Sequence, residues 1–375
     1  MTSQLWGRAF VRGELREDAL IVIDDGQIVD VRDPVRRPTN AEPVPGVILP
    51  GFIDVHVHGG AGADFMDGTD EAVAAVTEFH ARNGTTMLAA TTLSSSREDL
   101  RAAVRAIARN TRRPRAAEIC AIHLEGPYIS LHRAGAQDVA SIRPADIHEM
   151  AALIDEAPEL HWMMTIAPEI DGARGLIEHF RDLVLFSIGH TAADYGEAVN
   201  AIEWGARHFT HLFNAMTGLN HREPGVVGAA LASAHATAEL IADGIHVHPA
   251  VLRIAALMLP KRIALVTDAV RACGMPEGSY KLYGHDISVA RGAARLADGT
   301  LAGSTLTMQR AVQNMVELAG LPLEMVVPLA TEVPARIVGA RERKGKIAAG
   351  FDADIVVVTE KFEVERVLVR GEKIE

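Results

Sequence analysis

The sequence predicts an α/β fold: a TIM-like (β/α)8 barrel with a small β-sandwich domain built from both chain ends. Two observations predict it. Short apolar runs alternate with Ala-rich amphipathic stretches through the middle of the chain, whereas both ends carry the apolar–polar alternation of strands. A chain of 375 residues has room for one barrel and a further small domain. We therefore expect boundaries at residues 1–49, 50–335 and 336–375.

Each chain end is expected to supply part of one β unit. Near the amino terminus, residues 18–24 and 27–31 alternate around Asp25-Gly26, a dipeptide that favours a tight hairpin turn. Near the carboxyl terminus, residues 355–358 are continuously apolar and residues 362–369 alternate. Because two-stranded ribbons are only marginally stable, we expect the two pieces to share one sheet.

The central segment contains eight apolar runs that predict barrel strands: residues 47–57, 85–91, 118–124, 161–167, 183–188, 208–213, 239–242 and 262–267. Helices are predicted between most of them, over residues 70–83, 97–110, 145–157, 195–204 and 249–258. Eight strand-then-helix units fit a closed barrel better than an open doubly wound sheet.

Composition excludes several classes of protein. Lys and Arg total 37 against 49 Asp and Glu, and the net charge of −12 argues against binding a nucleic acid backbone. Two cysteines, Cys120 and Cys273, cannot build a disulfide framework, and no apolar run is long enough to span a bilayer. The first ten residues lack the features of a signal peptide. We therefore expect a reducing, cytoplasmic location.

Residues with metal-binding chemistry stand where the predicted strands end, which is the face of a barrel that carries its chemistry. They are His56, His58, Glu125, His190, His211 and Asp268. In a strand, side chains two positions apart point the same way, so His56 and His58 can coordinate one ion together. Any one of these residues alone is more often an ordinary polar residue. Together they predict a site for Zn²⁺ or, less selectively, Fe²⁺, Mn²⁺ or Co²⁺.

Asp268 follows the last predicted strand and is the expected acid/base. A metal ion makes a bound water acidic near neutral pH, and a neighbouring carboxylate can take its proton and later pass it to a leaving amine. The alternatives for this aspartate are a further metal ligand or a helix N-cap.

Six segments carry a resemblance to a known family. Residues 50–59 resemble the opening of the amidohydrolase superfamily. With residues 123–127, 189–191, 210–216, 222–225 and 301–304, they resemble the N-acetylglucosamine-6-phosphate deacetylases. The similarity runs from about residue 50 to residue 334. It implies hydrolysis of the acetamide of an N-acetylhexosamine 6-phosphate in amino-sugar catabolism.

The resemblance also implies roles for the residues. Glu125, His190 and His211 would hold the metal position that is always occupied, and Asp268 would be the acid/base. Some family members lack the histidine pair of the first strand and carry one metal. This sequence keeps His56 and His58, so a second divalent metal bridged by Glu125 is expected, with Zn²⁺ as the first choice.

The substrate side is expected to involve Asn214, Ala215, Arg222 and His246, which stand where the family contacts the sugar and its phosphate. By analogy Arg222 reaches into the site of a neighbouring subunit, which implies a homodimer; the alternative is a surface salt bridge. Gln137 departs from the family, which usually carries a histidine there. Its amide can donate a hydrogen bond to the substrate but cannot carry a proton.

Two other functions stay open on the sequence alone. The same metal ligands could serve an amidohydrolase that acts on a different N-acyl or cyclic amide, a reading that Gln137 favours and that Arg222 and His246 oppose. A barrel that has lost its chemistry could serve as a binding module. Such a protein would normally have lost a ligand, and none is missing here.

Overall fold

Eight parallel strands form the central sheet of the computed structural model, which describes residues 2–34, 36–282 and 284–375. Their bounds are Phe52–Val57, Thr85–Thr92, Glu118–Glu125, His161–Ile166, Val184–Ile188, His208–Phe209, Thr237–Ile241 and Ile263–Val266. The sheet closes on itself just beyond the last strand, where the Asp268 amide donates to the His56 carbonyl and the His58 amide to the Ala269 carbonyl, both at 2.9 Å. The predicted barrel is confirmed.

The barrel strands are apolar along their whole length because both faces are covered. In Thr85–Thr92 all eight residues are buried. Two predicted strands have different bounds. The predicted strand 47–57 is divided at Gly51 between two sheets, and a Cβ atom there would lie 2.3 Å from Thr86 Oγ1. The predicted strand 208–213 ends at Phe209, because the residues after it form the turns of the barrel mouth.

Helices follow most barrel strands and cover them from outside. The α-helices are Asp70–Arg82, Arg97–Arg109, Ile147–Ile154, Ala173–Phe180, Tyr195–Trp204, Gly225–Ala232, Pro249–Met258, Met308–Glu317, Leu323–Val326 and Glu332–Ile337. Short 3₁₀ turns span Phe65–Asp67, Leu131–Arg133, Val139–Ser141 and Val327–Ala330. Side-chain caps set several starts: Ser96 accepts from the Asp99 amide, and Asp194 forms a capping box with Glu197. All five predicted helices are present within a few residues of their predicted bounds.

Both chain ends contribute to one seven-stranded mixed sheet, as predicted. In spatial order its strands are Glu372–Ile374, Val364–Val369, Ile355–Val358, Glu42–Pro50, Ser3–Val11, Glu14–Asp24 and Gln27–Arg32. Alternation along Ile355–Val358 divides its side chains between two apolar clusters. Val356 and Val358 join the barrel core, whereas Ile355 and Val357 pack into the sheet's own core.

Two small β elements near the barrel mouth were not predicted, because their strands are short and weakly apolar. A four-stranded antiparallel sheet follows the eighth barrel strand, with strands Gly278–Leu282, His285–Ala290, Ala293–Arg295 and Leu301–Ser304. A ribbon of Gly59–Gly60 and Ala63–Asp64 follows the first barrel strand. Among the described residues, no helix combines the length and the apolar character needed to cross a lipid bilayer.

A buried ion cluster joins the carboxyl-terminal segment to the amino end of the barrel. The fully buried Lys344 places Nζ 2.5 Å from Asp354 Oδ2, 3.0 Å from Asp352 Oδ2 and 3.4 Å from Glu118 Oε2, and Glu118 begins the third barrel strand. Arg343 pairs with Glu118 as well. Burial disfavours the ammonium form of Lys344, but the surrounding carboxylates outweigh burial and raise its pKa. The lysine is therefore charged in the folded chain.

We predict that Lys344→Met lowers the free energy of unfolding by about 3–5 kcal/mol, because it leaves buried carboxylates without their cation. Lys346→Met is the matched control. Its ammonium pairs with Glu332 at the surface, where an ion pair is worth at most about 1 kcal/mol. Urea unfolding of both variants measures the difference, and equal losses would contradict the role of the cluster.

Candidate active site

The predicted metal-site residues meet at the carboxyl end of the barrel, where they come from the ends of five strands or from the loops after them. They are His56, His58, Glu125, His190, His211 and Asp268, and all are buried. A cavity of about 450 Å³ opens beside them, and all but His56 line it. The cluster is therefore reachable from solvent through this cavity.

The Glu125 carboxylate lies at the centre of the cluster. Oε1 is 3.0 Å from His211 Nε2, 3.1 Å from His190 Nε2 and 3.4 Å from His56 Nε2, while Oε2 is 3.3 Å from His58 Nε2. The Nε2 atoms themselves approach each other in pairs: His190 and His211 at 3.1 Å, and His56 and His58 at 3.2 Å. Four imidazole nitrogens thus face a single carboxylate.

This donor set fits divalent metal ions. Two ligands of one tetrahedral zinc ion, each at about 2.0–2.1 Å, are roughly 3.3–3.4 Å apart, close to the spacings within each histidine pair. Two groups of ligand atoms could each hold an ion: Glu125 with His190 and His211, and Glu125 with His56 and His58. Imidazole nitrogen and carboxylate oxygen suit zinc and other first-row metals alike, so the donor set leaves the identity of the ion open.

The electrostatics of the cluster also call for a cation. Burial opposes ionisation of Glu125, but the charges of His56 and His190 outweigh burial and hold its pKa well below the usual range. Burial opposes protonation of His58, but hydrogen bonds to Asp268 and Glu125 raise the pKa of its ring to about 9. The carboxylates therefore draw positive charge to this place, which a proton or a metal ion can supply.

Asp268 faces both the cluster and the cavity. Its Oδ1 is 3.2 Å from His58 Nε2 and 3.6 Å from His56 Nε2. Burial disfavours the carboxylate, but the hydrogen bond to His58 and the charge of His56 lower its pKa overall. An ionised carboxylate at this position can accept a proton from a molecule in the cavity.

Three of the candidate site residues have a strained backbone. His190, His211 and Asp268 have φ angles of +46°, +27° and +48°, in the left-handed region that residues with a Cβ seldom adopt. Such conformations cost free energy and persist where the surrounding structure enforces them, most often at functional sites. The strain turns each side chain inward immediately after its strand.

A layer of buried polar residues beneath the cluster was missed by sequence reasoning. Glu239, in the seventh strand, accepts the His56 Nδ1 proton at 2.8 Å and the His211 backbone amide at 2.9 Å. It also lies 3.2 Å from His208 Nε2. When Nδ1 carries the proton, Nε2 of His56 has a free lone pair that can coordinate a metal ion. Carboxylates commonly orient metal-binding imidazoles in this way. A glutamate within an apolar strand was the available signal.

His123 and Asp54 belong to the same layer. His123 is buried between the Val55 carbonyl and the Thr165 hydroxyl, and burial lowers the pKa of its ring to about 3. With His56 and Glu239 it forms a third group of ligand atoms with metal-binding spacing. Asp54 accepts from the His56 amide at 3.2 Å and from the Thr267 hydroxyl at 2.5 Å, and it links the first and eighth strands.

Gln137 is buried against Glu125. Its Nε2 donates to Glu125 Oε2 at 2.5 Å, and its Oε1 accepts the Ser94 amide at 2.6 Å. Both ends of the amide are thus engaged within the protein. Gln137 also lines the cavity, so the predicted contact with substrate stays a prediction.

The expected substrate residues divide into two groups. Asn214, Ala215 and His246 line the cavity. Burial disfavours protonation of His246, but the hydrogen bond to Asp243, with 2.6 Å between Nδ1 and Oδ2, raises the pKa of its ring overall. Arg222 is exposed and does not line the cavity of its own chain. Among the described residues, no ion pair involving its guanidinium is found.

Known proteins resemble this chain over nearly its full length. Residues 47–374 match the model of the amidohydrolase family. The chain is 38% identical over 373 residues to N-acetylglucosamine-6-phosphate deacetylase of Bacillus subtilis (strain 168), covering 96% of this chain and 93% of the relative. It is 37% identical over 328 residues to N-acetylgalactosamine-6-phosphate deacetylase of Escherichia coli O157:H7, covering 87% of each.

The fold of this chain also resembles that of a solved structure. A mutant N-acetyl-D-glucosamine-6-phosphate deacetylase from Mycobacterium smegmatis, in complex with N-acetyl-D-glucosamine-6-phosphate, superposes with a TM-score of 0.94 at 36% sequence identity. The match covers 100% of this chain and 99% of that one.

We predict that wild-type protein holds two divalent ions per chain and that the double variant His56→Asn/His58→Asn holds one. The variant keeps Glu125, His190 and His211 but loses both nitrogen ligands of the other position. Elemental analysis of the folded, dialysed proteins gives the count. Two ions per chain in the double variant would contradict the assignment of the first-strand histidines.

Proposed function

The chain belongs to the amidohydrolase family, and from this we infer that it is a deacetylase of N-acetylglucosamine 6-phosphate. It hydrolyses the acetamide of this sugar phosphate and releases glucosamine 6-phosphate and acetate, a step of amino-sugar catabolism. The observation that carries the proposal is the convergence of four histidines, Glu125 and Asp268 at one cavity, in a chain aligned end to end with deacetylases of this specificity.

Metal ions complete the proposed site. Glu125, His190 and His211 would hold one divalent ion, and His56, His58 and Glu125 would hold a second, with zinc the expected metal. When bound, such an ion supplies Lewis acidity, which makes a water molecule acidic near neutral pH and polarises the acetamide carbonyl. Glu125 could contribute to both positions because Oε1 lies 3.0 Å from His211 Nε2 and Oε2 lies 3.3 Å from His58 Nε2.

Asp268 moves the proton. Its carboxylate lies at the cavity wall, so it can accept a proton from the water whose oxygen attacks the acetyl carbon. When the carbon–nitrogen bond breaks, Asp268 returns that proton to the departing nitrogen. The sugar then leaves as an amine and the acetyl group as acetate, and the carboxylate is regenerated.

The phosphate end of the substrate is proposed to contact His246, Asn214 and Ala215 from the same chain and Arg222 from a second copy. A guanidinium suits this role because its planar fork donates to two phosphate oxygens and keeps its charge. In its own chain Arg222 lies outside the cavity, and within the described residues it has no ion-pair partner, which is consistent with a contact to a second copy. We therefore propose a homodimer.

Exposed apolar side chains give this dimer a candidate surface. The helix Pro249–Met258 exposes Ile254, Leu257 and Met258, and Leu219, near Arg222 in sequence, is 61% exposed. Large apolar side chains grouped on a surface commonly mark contacts between subunits.

A panel of substrates tests the proposed function. We expect metal-loaded protein to release acetate fastest from N-acetylglucosamine 6-phosphate. N-acetylgalactosamine 6-phosphate, the unphosphorylated sugars, a cyclic amide and an N-acetyl amino acid are the competitors. The galactosamine isomer is included because one relative carries that name. Faster turnover of any competitor would replace the proposed substrate.

We predict that Asp268→Asn keeps its metal content and still binds substrate while kcat collapses, because an amide cannot accept the proton of the attacking water. General acid–base catalysis contributes roughly 10²–10⁴-fold, and loss of a group that serves both half-reactions can exceed this. Steady-state kinetics and elemental analysis are made on the same preparation. Retention of more than about a tenth of wild-type kcat would assign the proton transfer to another group.

We predict that Arg222→Ala lowers kcat/KM for the phosphorylated sugar by roughly 30-fold or more and leaves the slow reaction on the unphosphorylated sugar nearly unchanged. Only the phosphorylated substrate has a charge to lose. Comparing the two substrates separates recognition of phosphate from support of the fold, since equal losses on both would indicate a structural role.

Subunit mixing tests whether the arginine acts across the interface. Asp268→Asn chains are combined with Arg222→Ala chains, each poorly active alone. If the arginine crosses over, one site of each mixed dimer unites a wild-type Asp268 with a wild-type Arg222, and activity partly returns. No recovery in verified mixed dimers would place Arg222 in its own subunit's site.

A further inference from the structure

Two buried polar atoms beside the first barrel strand have no hydrogen-bond partner among the described residues. They are Nδ1 of His58 and Oδ2 of Asp64. His58 is 2% exposed and Asp64 is fully buried. A buried polar atom left without a partner costs roughly 1–3 kcal/mol, so such atoms are rare and call for an explanation. Nothing in the proposed reaction yet uses Asp64.

The chain folds back so that Asp64 lies next to His58. The short ribbon after the first strand pairs Gly59 with Asp64, and the Phe65 amide donates to the His58 carbonyl at 2.9 Å. The fold-back is tight: a Cβ atom on Gly59 would lie 2.4 Å from the Ala63 carbonyl oxygen. The two oxygens of the Asp64 carboxylate differ. Oδ1 accepts a hydrogen bond from the Met66 amide at 2.9 Å, and Oδ2 has no partner among the described residues.

Two of the other three ligand histidines show what His58 lacks, whereas Nδ1 of His211 also has no partner among the described residues. Nδ1 of His56 is held by Glu239 at 2.8 Å, and Nδ1 of His190 lies 2.7 Å from the Arg133 carbonyl. In each ring an acceptor fixes the proton on Nδ1, which leaves Nε2 to face Glu125. His58 Nε2 also faces Glu125, at 3.3 Å, so its Nδ1 needs an acceptor as well.

We propose that Asp64 is the positioning residue of His58: one buried water accepts the His58 Nδ1 proton and donates to Asp64 Oδ2, and this bridge holds Nε2 as the ligand atom. This role rests on the proposed ion position at His56, His58 and Glu125. Asp64 does not touch substrate, so it acts on the reaction only through the histidine and the ion.

Asp64→Asn tests the proposal sharply. Asparagine caps as well as aspartate, so its side-chain oxygen can still accept the Met66 amide and keep the turn. Its amide group, however, puts a donor where Oδ2 stood. It would favour the His58 form with the proton on Nε2, which cannot bind a metal. We expect the affinity of one of the two ion positions for Zn²⁺ to fall roughly 10–100-fold, with the other unchanged.

The measurement is competition between a chelator and metal-free protein reloaded with Zn²⁺ alone, together with the thermal midpoint of each metal-free protein. Asp64→Ser is the second variant, since serine can also cap but is too short to reach His58; the same ion should be lost. Asp67→Asn, in the same turn, and Arg271→Met, which removes the cation paired with Asp67, are the controls and should keep both ions.

Two tight Zn²⁺ ions in both Asp64 variants would overturn the proposal. Loss of the same ion in Arg271→Met would also overturn it, because Asp64 would then serve the arginine. These outcomes are independent of the substrate panel, which is run on wild-type protein. Failure of the deacetylase assignment and failure of this inference can therefore be told apart.

Discussion

The arrangement of residues at the carboxyl end of this barrel depends on one buried carboxylate. Glu125 is 3% exposed and carries its charge where burial alone would neutralise it, so the charge must be compensated within a few ångströms. Four imidazole Nε2 atoms within 3.0–3.4 Å and the Gln137 amide provide this compensation. The strand ends, the strained turns and the polar layer below are arranged around that requirement.

The two ends of the barrel perform different tasks. At the carboxyl end, Glu239 and Asp54 accept hydrogen bonds from His56, and several residues, including His190, His211 and Asp268, adopt left-handed backbone angles. At the amino end, Lys344 and Arg343 lock the terminal sheet to Glu118. The carboxyl end of the barrel thus holds the candidate site and the amino end holds buried ion pairs, as expected for a barrel whose chemistry lies at its carboxyl face.

The cavity is lined on one side by the candidate metal site and on the other by residues from outside the barrel strands. The antiparallel sheet inserted after the eighth strand contributes Leu282 and Leu301, while His246 stands on the loop after the seventh strand. A substrate with a reacting amide at one end and a phosphate at the other needs such a two-part site. The proposed metal-binding end belongs to the barrel itself, whereas the other end of the cavity is built in part by a loop and by the inserted sheet.

The sequence by itself determined the barrel, the shared terminal sheet and the positions of the ligand residues, because these follow from local signals. Apolar runs mark strands buried on both faces, and alternation puts His56 and His58 on one face. Local patterns do not show where the chain leaves one sheet for another. The predicted strand 47–57 ran across Gly51, where the chain passes between two sheets that share the same apolar pattern.

Only the tertiary structure decided which atoms meet. Glu239 lies 183 residues from His56 in the chain, and Gln137 contacts Glu125 through a loop that carries no periodic pattern. The unpartnered atoms of His58 and Asp64 are visible only once burial is known. A hydrogen bond depends on separations of about 3 Å, and local sequence preferences do not determine distances between residues far apart in the chain.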